Sequence, residues 1–232
     1  MTEEIDAVMF DLGGTLIDLE PSKDVVFHRV LARHEHKVPL SEVSKVIGEA
    51  ERKYDEESAN LDGVHEDKFW EKFDRFVLEK LGFNGDISRF AKEVSLEFEG
   101  IVPKVESWAE HEDARPLLED LKAREFRLGV ISNATDLARR VMDHLRLSEY
   151  FGTIVISDEV GFRKPDRRIF QLAASLAKVA PNRALYVGDR YAVDVVGAGK
   201  AGMNSILIDR ANAYRDVDCL RIRSLRELRR FL

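Results

Sequence analysis

The chain contains 232 residues, 44% of them hydrophobic, with a formal net charge of −7 and one cysteine, Cys219. This length and composition can fill the core of one domain, or of one domain that carries a second as an insertion. The acidic balance argues against a nucleic-acid-binding surface, and a lone cysteine excludes an internal disulfide. The sequence shows no signal-peptide pattern and no apolar run long enough to cross a bilayer, so we expect a cytoplasmic protein without a membrane partner.

The first predicted strand ends at an aspartate followed closely by two glycines. Residues 5–10 form a short apolar run that is typical of a buried strand in a parallel sheet. Asp11 follows directly, and Gly13 and Gly14 allow a sharp turn because glycine adopts positive φ angles easily. A carboxylate at this end of a central strand would face the crevice in which open α/β sheets bind ligands. Taken alone, Asp11 has an equally good interpretation as a helix cap or turn residue.

A helical region follows, from about residue 21 to residue 100. Its apolar residues recur at helical spacing in four segments, without the alternation expected of a strand. Ser22 is predicted to cap the first helix and Ser41 to open the second, while the third and fourth cover residues 66–81 and 87–98. The third helix carries an apolar stripe that we interpret as core packing, formed by Phe69, Trp70, Phe73, Phe76 and Val77. These segments predict an all-helical module inserted after the first strand.

Beyond a polar stretch at residues 106–113, helices and strands alternate. Predicted strands cover residues 126–131, 153–156, 184–187 and 205–208, and predicted helices cover residues 115–124, 135–145, 167–178 and 191–201, with a short helix from residue 224. Strand–helix repeats with short connections predict a parallel sheet with helices on both of its faces. The first strand joins this sheet although the helical module separates it from the next strand. The expected fold class is therefore α/β.

Polar residues follow successive strands of this sheet. They are Ser132 and Asn133, then Lys164 in the run Lys164-Pro165-Asp166, then Asp189 after Gly188, and finally Asp194. Carboxylates are the ligands that Mg²⁺ prefers, and lysine, hydroxyl and amide groups donate hydrogen bonds to phosphate. Each residue alone could be a helix cap, a turn or a surface acid. Their placement after successive parallel strands predicts that they share one site.

In this order, the motifs resemble those of the haloacid-dehalogenase-like hydrolase superfamily, and the resemblance covers nearly the whole chain. The family's four motifs correspond to residues 11–15, Ser132, Lys164-Pro165-Asp166, and Gly188-Asp189 with Asp194. The resemblance implies a Rossmann-like core domain, residues 1–17 and 104–232, and a helical cap domain, residues 18–103. It also implies a small phosphorylated molecule as the substrate. A monomer and a homodimer both remain open.

The chemistry that the resemblance implies is a two-step phosphoryl transfer. Asp11 would attack phosphorus to form an aspartyl-phosphate, which water hydrolyses, while Lys164 neutralises charge. Phosphate oxygens would be held by Ser132, Asn133, Gly14 and Thr15. The implied cofactor is Mg²⁺, with a metal site that comprises Asp11, the Gly13 carbonyl, Asp189 and Asp194. Within that site Asp194 is expected to orient a water or Lys164 rather than to bind the ion directly.

Gly13 is the one departure from the family's first motif, D-x-D-G-T. Family phosphatases place there an aspartate that protonates the leaving oxygen and later activates water, and losing such a group typically costs about 10²- to 10⁴-fold in rate. A replacement donor could come from the inserted module or its connection, with His65, Asp18 and Glu20 as candidates. An activated substrate such as an acyl phosphate would need no donor.

Three alternatives to a Mg²⁺-dependent phosphatase follow from Gly13. A 2-haloacid dehalogenase works without metal, and that branch of the family does not retain the acidic pair matched here by Asp189 and Asp194. A phosphonoacetaldehyde hydrolase would need a Schiff-base lysine, for which Lys53 is available, although its neighbours suggest an ordinary charged helix face. The third alternative is a catalytically weak relative that binds phosphate or protein. Retention of Asp11 and Lys164 favours the enzyme.

Overall fold

The computed structural model of the chain describes residues 4–59 and 66–232. Within these residues, a sheet of six parallel strands has the order β5-β4-β1-β6-β7-β8, and a separate antiparallel pair joins β2 to β3. The strands are β1 (Ala7–Phe10), β2 (Ile17–Leu19), β3 (Trp108–Glu110), β4 (Arg127–Ser132), β5 (Thr153–Ile156), β6 (Ala184–Gly188), β7 (Asn204–Ile208) and β8 (Arg221–Ile222).

Ten α-helices lie in the same described ranges. They are α1 (Lys23–Arg33), α2 (Leu40–Lys53), α3 (Asp55–Ala59), α4 (Glu66–Lys80), α5 (Ile87–Ile101), α6 (Ala114–Ala123), α7 (Leu137–His144), α8 (Ser157–Val160), α9 (Arg167–Ala177) and α10 (Val196–Lys200). A π-helical turn, Tyr191–Val195, precedes α10, and a 3-10 helix, Leu225–Phe231, lies near the end of the chain. None of these helices combines the length and the apolar character needed to cross a bilayer.

The central strand β1 is buried on both faces, as a continuous apolar run requires in a parallel sheet. Val8 and Phe10 pack on one face against α6, α7 and the C-terminal 3-10 helix. Ala7 and Met9 pack on the other face against α9 and α10. The predicted α/β architecture is confirmed. The strand order reverses about β1, and the crevice at its carboxyl end is where ligands bind in such sheets.

The helical module has a hydrophobic cluster of its own. Apolar faces of α1, α2, α4 and α5 meet there, with Phe27, Ile47, Phe73 and Phe90 among the buried side chains. The sequence prediction that the stripe on α4 is core packing is right for Phe73 and Val77, which belong to this cluster. Trp70 is 45% exposed, so that part of the prediction is wrong. Helical spacing alone could not predict this exposure, because Phe73 and Leu78 are both buried and lie on either side of Trp70 around the helix.

Short elements account for the other differences from the prediction. The polar stretch at residues 106–113 contains β3, which pairs with β2 in antiparallel orientation. This pairing is a long-range contact, so no local sequence pattern predicts it. The elements α3, α8 and β8 were also missed, and each has five residues or fewer. The second helix begins at Leu40 after Pro39 rather than at Ser41. Ser22 is the N-cap residue of α1, but its hydroxyl bonds to Asp24 rather than to a helix amide.

Asp113, which precedes α6, connects this helix to the loops that follow β7 and β8. Its carboxylate accepts two hydrogen bonds of 2.9 Å from the Arg210 guanidinium, one of 2.7 Å from the Ser224 hydroxyl and one of 2.9 Å from the Leu225 amide. The same guanidinium donates to the carbonyl of Thr15 at 2.9 Å. Burial raises the pKa of Asp113, but its hydrogen bonds to Arg210 and Ser224 outweigh burial and lower it to about 2. The turn that follows Asp11 is thereby anchored to the sheet.

We expect Asp113→Asn to lower the free energy of unfolding by about 2 to 3 kcal/mol at pH 7, because it weakens charge-assisted bonds at a buried position. A carboxyl with a depressed pKa stabilises the folded state above its unfolded pKa and loses that contribution as pH falls through its folded pKa. The difference between wild type and Asp113→Asn should therefore be full above pH 4 and shrink towards pH 2. Urea unfolding across this range measures it.

Glu112→Gln is the matched control, since this neighbouring acid is 85% exposed and its one ion pair among the described residues is with the exposed Arg226. Its effect should stay within about 0.5 kcal/mol. A stability difference for Asp113→Asn that does not change between pH 7 and pH 2.5 would contradict the electrostatic explanation.

Candidate active site

A buried lysine lies at the centre of the predicted site residues. The Lys164 ammonium donates to Oδ1 of Asp11 at 2.6 Å and to Oδ1 of Asp194 at 2.7 Å. It also donates to the Tyr186 hydroxyl at 2.8 Å. Lys164 is 2% exposed and Asp194 is fully buried. All three donors of the ammonium are therefore used, which is the condition for burying a cation at tolerable cost.

The charges around Lys164 determine its protonation. Burial alone would lower the pKa of Lys164, but the carboxylates of Asp11 and Asp194 more than reverse this and raise it. Burial raises the pKa of Asp11, and Lys164 opposes that shift. The lysine therefore stays an ammonium ion at neutral pH. It acts as a fixed positive charge next to Asp11 and has no proton to exchange in this range.

The turn that carries Lys164 is tied to the sheet by Asn133. Oδ1 of Asn133 accepts from the Lys164 amide at 2.7 Å, and its Nδ2 donates to the Lys164 carbonyl at 2.8 Å. Asn133 directly follows β4, so this pair of bonds holds the lysine opposite the end of that strand. The binding of phosphate by Asn133 stays a prediction. The contact that the structure shows for its side chain is a positioning one.

Asp189 supplies a third carboxylate at the end of β6. Oxygen atoms of Asp11, Asp189 and Asp194 lie within 4.8 Å of one another. Burial raises the pKa of Asp189 well above its usual range, and the charges of Asp11 and Asp194 raise it further. Among the described residues, Oδ1 of Asp189 is buried and has no hydrogen-bond partner. A buried carboxylate oxygen in this position needs a source of positive charge.

The arrangement fits a divalent cation with oxygen ligands. Three carboxylates outnumber the single ammonium by two charges. The unpartnered oxygen of Asp189 and the carboxylate of Asp11 are the hard donors that Mg²⁺ prefers. Asp194 is more fully engaged, because its Oδ1 accepts from Lys164 and from Tyr186 at 3.1 Å, and its Oδ2 accepts from the Arg190 amide at 3.0 Å.

Two glycines allow these carboxylates to approach the backbone. Gly14 has φ near 75°, and a Cβ at that position would clash with the carboxylate of Asp189. A Cβ at Gly188 would clash with the carboxyl group of Asp194. Gly13 differs, because its φ is not in the left-handed region and nothing lies within 4 Å of a Cβ built there. A larger residue at position 13 is therefore excluded neither by backbone strain nor by its neighbours.

A cavity of about 410 Å³ opens above this cluster. Its polar end is formed by Asp11, Lys164, Asp189, Ser132 and Asn133, together with Gly13, Asp194, Arg163 and Arg190. One wall is apolar and is formed by Ile17, Val102, Trp108, Leu137, Ala138 and Val141. The cavity is large enough for a small molecule with a charged end and a body of several carbon atoms.

Not every predicted binding residue reaches this cavity. Gly14 and Thr15 are not among its lining residues, and Thr15 is fully buried with a hydroxyl that lacks a partner in the described part of the chain. Their predicted contact with phosphate stays untested. Ser132, the last residue of β4, is 5% exposed and lines the cavity, and its contact with phosphate stays a prediction.

None of the described candidates for a replacement acid or amine lines the cavity. Asp18 lies on β2, where its carboxylate accepts from the Leu19 amide at 2.7 Å, and Glu20 is exposed. Lys53 is exposed at the end of α2, with Nζ 4.2 Å from the centroid of the Phe76 ring. His65 lies outside the described residues. The geometry does not favour the Schiff-base interpretation of Lys53.

Sequence reasoning missed two residues of the site. Tyr186 lies in β6, and its hydroxyl contacts Lys164, Asp194 and the carbonyl of Ile131. The available signal was a tyrosine in a fully buried strand, because a buried phenol needs a polar partner. Arg190 directly follows Asp189 and lines the cavity. Its position beside a motif residue was the only signal.

Comparisons with known proteins identify phosphatases that are similar to part of the chain. Over 91 residues the chain is 41% identical to the glyceraldehyde 3-phosphate phosphatase of Methanothermobacter thermautotrophicus, covering 39% of this chain and 40% of that protein. Over 120 residues it is 35% identical to the phosphoserine phosphatase of Thermus thermophilus, covering 50% and 48%. The chain thus spans less than half the length of these relatives.

A solved structure extends the similarity over almost the whole length. A 2-haloacid dehalogenase from Pseudomonas syringae is 27% identical with a TM-score of 0.56, covering 97% of both chains. A family model described as haloacid dehalogenase-like hydrolase matches residues 5–202. The match includes all four sequence motifs and the strands β1, β4 and β6, at whose carboxyl ends Asp11, Ser132 and Asp189 lie. The chain therefore belongs to the haloacid dehalogenase-like hydrolases.

Proposed function

We propose that this hydrolase is a Mg²⁺-dependent phosphatase of small phosphorylated metabolites that works through an aspartyl-phosphate. The observation that carries the proposal is the grouping of Asp11, Asp189 and Lys164 at the carboxyl edge of the sheet, where carboxylate oxygens lie within 4.8 Å of one another and the ammonium is 2.6 Å from Asp11. A nucleophilic carboxylate, a site for a dication and a fixed ammonium are the groups that phosphoryl transfer to aspartate requires.

In the proposed reaction, the Asp11 carboxylate forms a bond to phosphorus as the bond between phosphorus and the leaving oxygen breaks. With no acid at position 13, the leaving oxygen takes up a proton from solvent water. A second water then attacks the phosphorus as its bond to the Asp11 oxygen breaks, which releases inorganic phosphate, gives the water's proton to solvent and regenerates the Asp11 carboxylate. Mg²⁺, held by Asp11, Asp189 and the Gly13 carbonyl, would supply the positive charge that lets two anions approach. Ser132 and Asn133, which line the cavity, would hold the phosphate oxygens.

Lys164 has two tasks in this proposal. Its ammonium balances the negative charge that builds up on the phosphoryl group, and it keeps Asp11 ionised and oriented for attack. Asp194 holds Lys164 from the other side, at 2.7 Å, so we assign it to positioning the lysine rather than to direct contact with the metal ion. Tyr186 completes the same shell of contacts.

The helical module would serve as the cap domain, residues 18–103, over a core of residues 1–17 and 104–232. Its separate hydrophobic cluster supports an independent packing unit. The similarity to phosphatases of glyceraldehyde 3-phosphate and phosphoserine supports a small substrate, and these two compounds belong in the first panel. A cytoplasmic location and a monomeric or homodimeric state stay predictions.

Dehalogenation is the second candidate, favoured by the similarity to a 2-haloacid dehalogenase and by the absence of an acid at Gly13. The three clustered carboxylates favour the phosphatase, because a reaction without a metal ion gives no reason to accumulate uncompensated negative charge. Release of halide from a short 2-haloacid in the presence of a chelator would favour the dehalogenase function over the phosphatase function. If the protein turns over neither class of substrate, the result would support the third alternative, a catalytically weak relative that binds phosphate or protein.

We expect wild-type protein to hydrolyse p-nitrophenyl phosphate in Mg²⁺ and to lose this activity on chelation. Asp11→Asn should reduce turnover to background, because an amide cannot replace the anionic nucleophile. The release of p-nitrophenolate, followed by its absorbance, measures both effects.

The exposed Asp158 offers a matched control, and Asp158→Asn should retain the wild-type rate. Turnover that survives in Asp11→Asn would eliminate the aspartyl-phosphate route. Turnover that survives complete chelation would eliminate the dependence on Mg²⁺.

A second prediction concerns the open space at Gly13. Gly13→Asp should fold normally, since nothing lies within 4 Å of the new Cβ. An acid there should raise kcat on alkyl phosphates by about 10²- to 10⁴-fold, because an alkoxide leaves slowly without a proton. Turnover of p-nitrophenyl phosphate should rise less, since that leaving group needs little protonation. Steady-state kinetics on the two esters provide the measurement.

Gly13→Asn separates proton transfer from the filling of space, because asparagine has nearly the size of aspartate but no acidic proton. It should not reproduce the gain on alkyl phosphates. Equal gains on the two kinds of ester in Gly13→Asp would refute the account of this position.

A further inference from the structure

One residue of the helical module reaches across to the segment that follows Asp189. Oδ1 of Asp55 accepts from Nε of Arg190 at 3.1 Å, and Oδ2 accepts from the amide of Ala192 at 2.7 Å. The Asp55 carbonyl also accepts from Nη2 of Arg190 at 3.3 Å. Asp55 is separated from these partners by more than 130 residues of chain and is 3% exposed.

The segment that Asp55 holds carries two of the three clustered carboxylates. Asp189 precedes Arg190, and Asp194 lies in the π-helical turn that begins at Tyr191. Oδ2 of Asp194 accepts from the Arg190 amide at 3.0 Å, while its Oδ1 holds Lys164. Contacts therefore run without a break from Asp55 through Arg190 to Asp194 and Lys164.

Two other contacts join α2 to the core at a different place. Gly48 lies against Ala211 and Ala213, since a Cβ built on it would be 3.2 Å and 3.7 Å from their Cβ atoms. Arg52 forms an ion pair with Asp216, whose side chain is 67% exposed. These contacts join the module to a surface loop, whereas Asp55 bonds to backbone and side chain beside Asp189.

We infer that Asp55 is a positioning residue for the metal-binding segment, so that the site is complete only when the helical module is docked. The inference rests on the proposed function. The physical reason is that a carboxylate binds a cation well only when its backbone is held in place. Groups that orient metal ligands typically contribute about 10- to 100-fold to metal affinity. Asp55 supplies that support from the module rather than from the core.

The test compares Asp55→Asn with Arg52→Ala in the full chain. Asparagine keeps the size of the side chain but replaces one acceptor oxygen by a donor, which opposes either the Ala192 amide or the Arg190 guanidinium. Titration calorimetry with Mg²⁺ should give about 10- to 100-fold weaker binding for Asp55→Asn. Arg52→Ala, which removes an exposed ion pair at the same interface, should change Mg²⁺ affinity by less than about twofold.

Hydrogen–deuterium exchange without metal provides a second readout. Peptides that cover residues 190–195 should exchange faster in Asp55→Asn than in wild type, and Arg52→Ala should match wild type. A merely structural role in docking would affect both variants alike. If Asp55→Asn does not fold, Tyr214→Phe removes only a hydroxyl that favours the charged form of Asp55 and so lowers its pKa, and it should show the same effects to a smaller degree.

Wild-type Mg²⁺ affinity and wild-type exchange in Asp55→Asn, or in Tyr214→Phe if it is the variant that folds, would overturn the inference. Equal losses in Asp55→Asn and Arg52→Ala would overturn it as well, because the effect would then belong to docking in general. A wild-type protein that binds no Mg²⁺ would refute the proposed metal site, while the exchange comparison would still decide whether Asp55 holds the segment.

Discussion

The structure depends on the burial of one ammonium ion, that of Lys164, between the carboxylates of Asp11 and Asp194. A charge with 2% exposure is tolerated only if each of its donors has a partner. That requirement explains the phenol of Tyr186 inside the sheet, the amide of Asn133 on the lysine backbone and the absence of a side chain at Gly188, where Asp194 needs the space. Segments far apart in the chain are held together at this point.

The same cluster contains more negative than positive charge, and this excess connects structure to chemistry. Burial and the neighbouring carboxylates raise the pKa of Asp189, whose inner oxygen has no partner among the described residues. In the proposed reaction a dication would relieve that repulsion, and a phosphoryl group bound next to it would meet a nucleophile already held by Lys164. Gly13 and Gly14 differ in whether their neighbours would tolerate a side chain. Gly14 is required by the approach of Asp189, whereas Gly13 leaves space for an acid that the chain does not carry.

Local patterns predicted most of the fold correctly. The strands β1, β4, β5, β6 and β7 lie within a residue or two of the apolar runs that predicted them, because a strand buried on both faces has to be continuously apolar. The antiparallel pair of β2 and β3 was missed because it joins segments about ninety residues apart, and its strands are only three residues long. Asp194 had a possible interpretation as a surface acid, and only the three-dimensional packing shows it fully buried against Lys164.

The sequence by itself determined which polar residues come after each strand and in what order. That order predicted the family, and it predicted that Asp11, Ser132, Lys164 and Asp189 lie together at one edge of the sheet. This was possible because parallel strands place their carboxyl ends on the same side. The tertiary structure alone decided which side chains pair: Asn133 with the lysine backbone, Tyr186 with the ammonium, and Asp55 of the helical module with Arg190. Such pairs depend on distances across the folded chain, and residues 135 positions apart leave no periodic signal in the sequence.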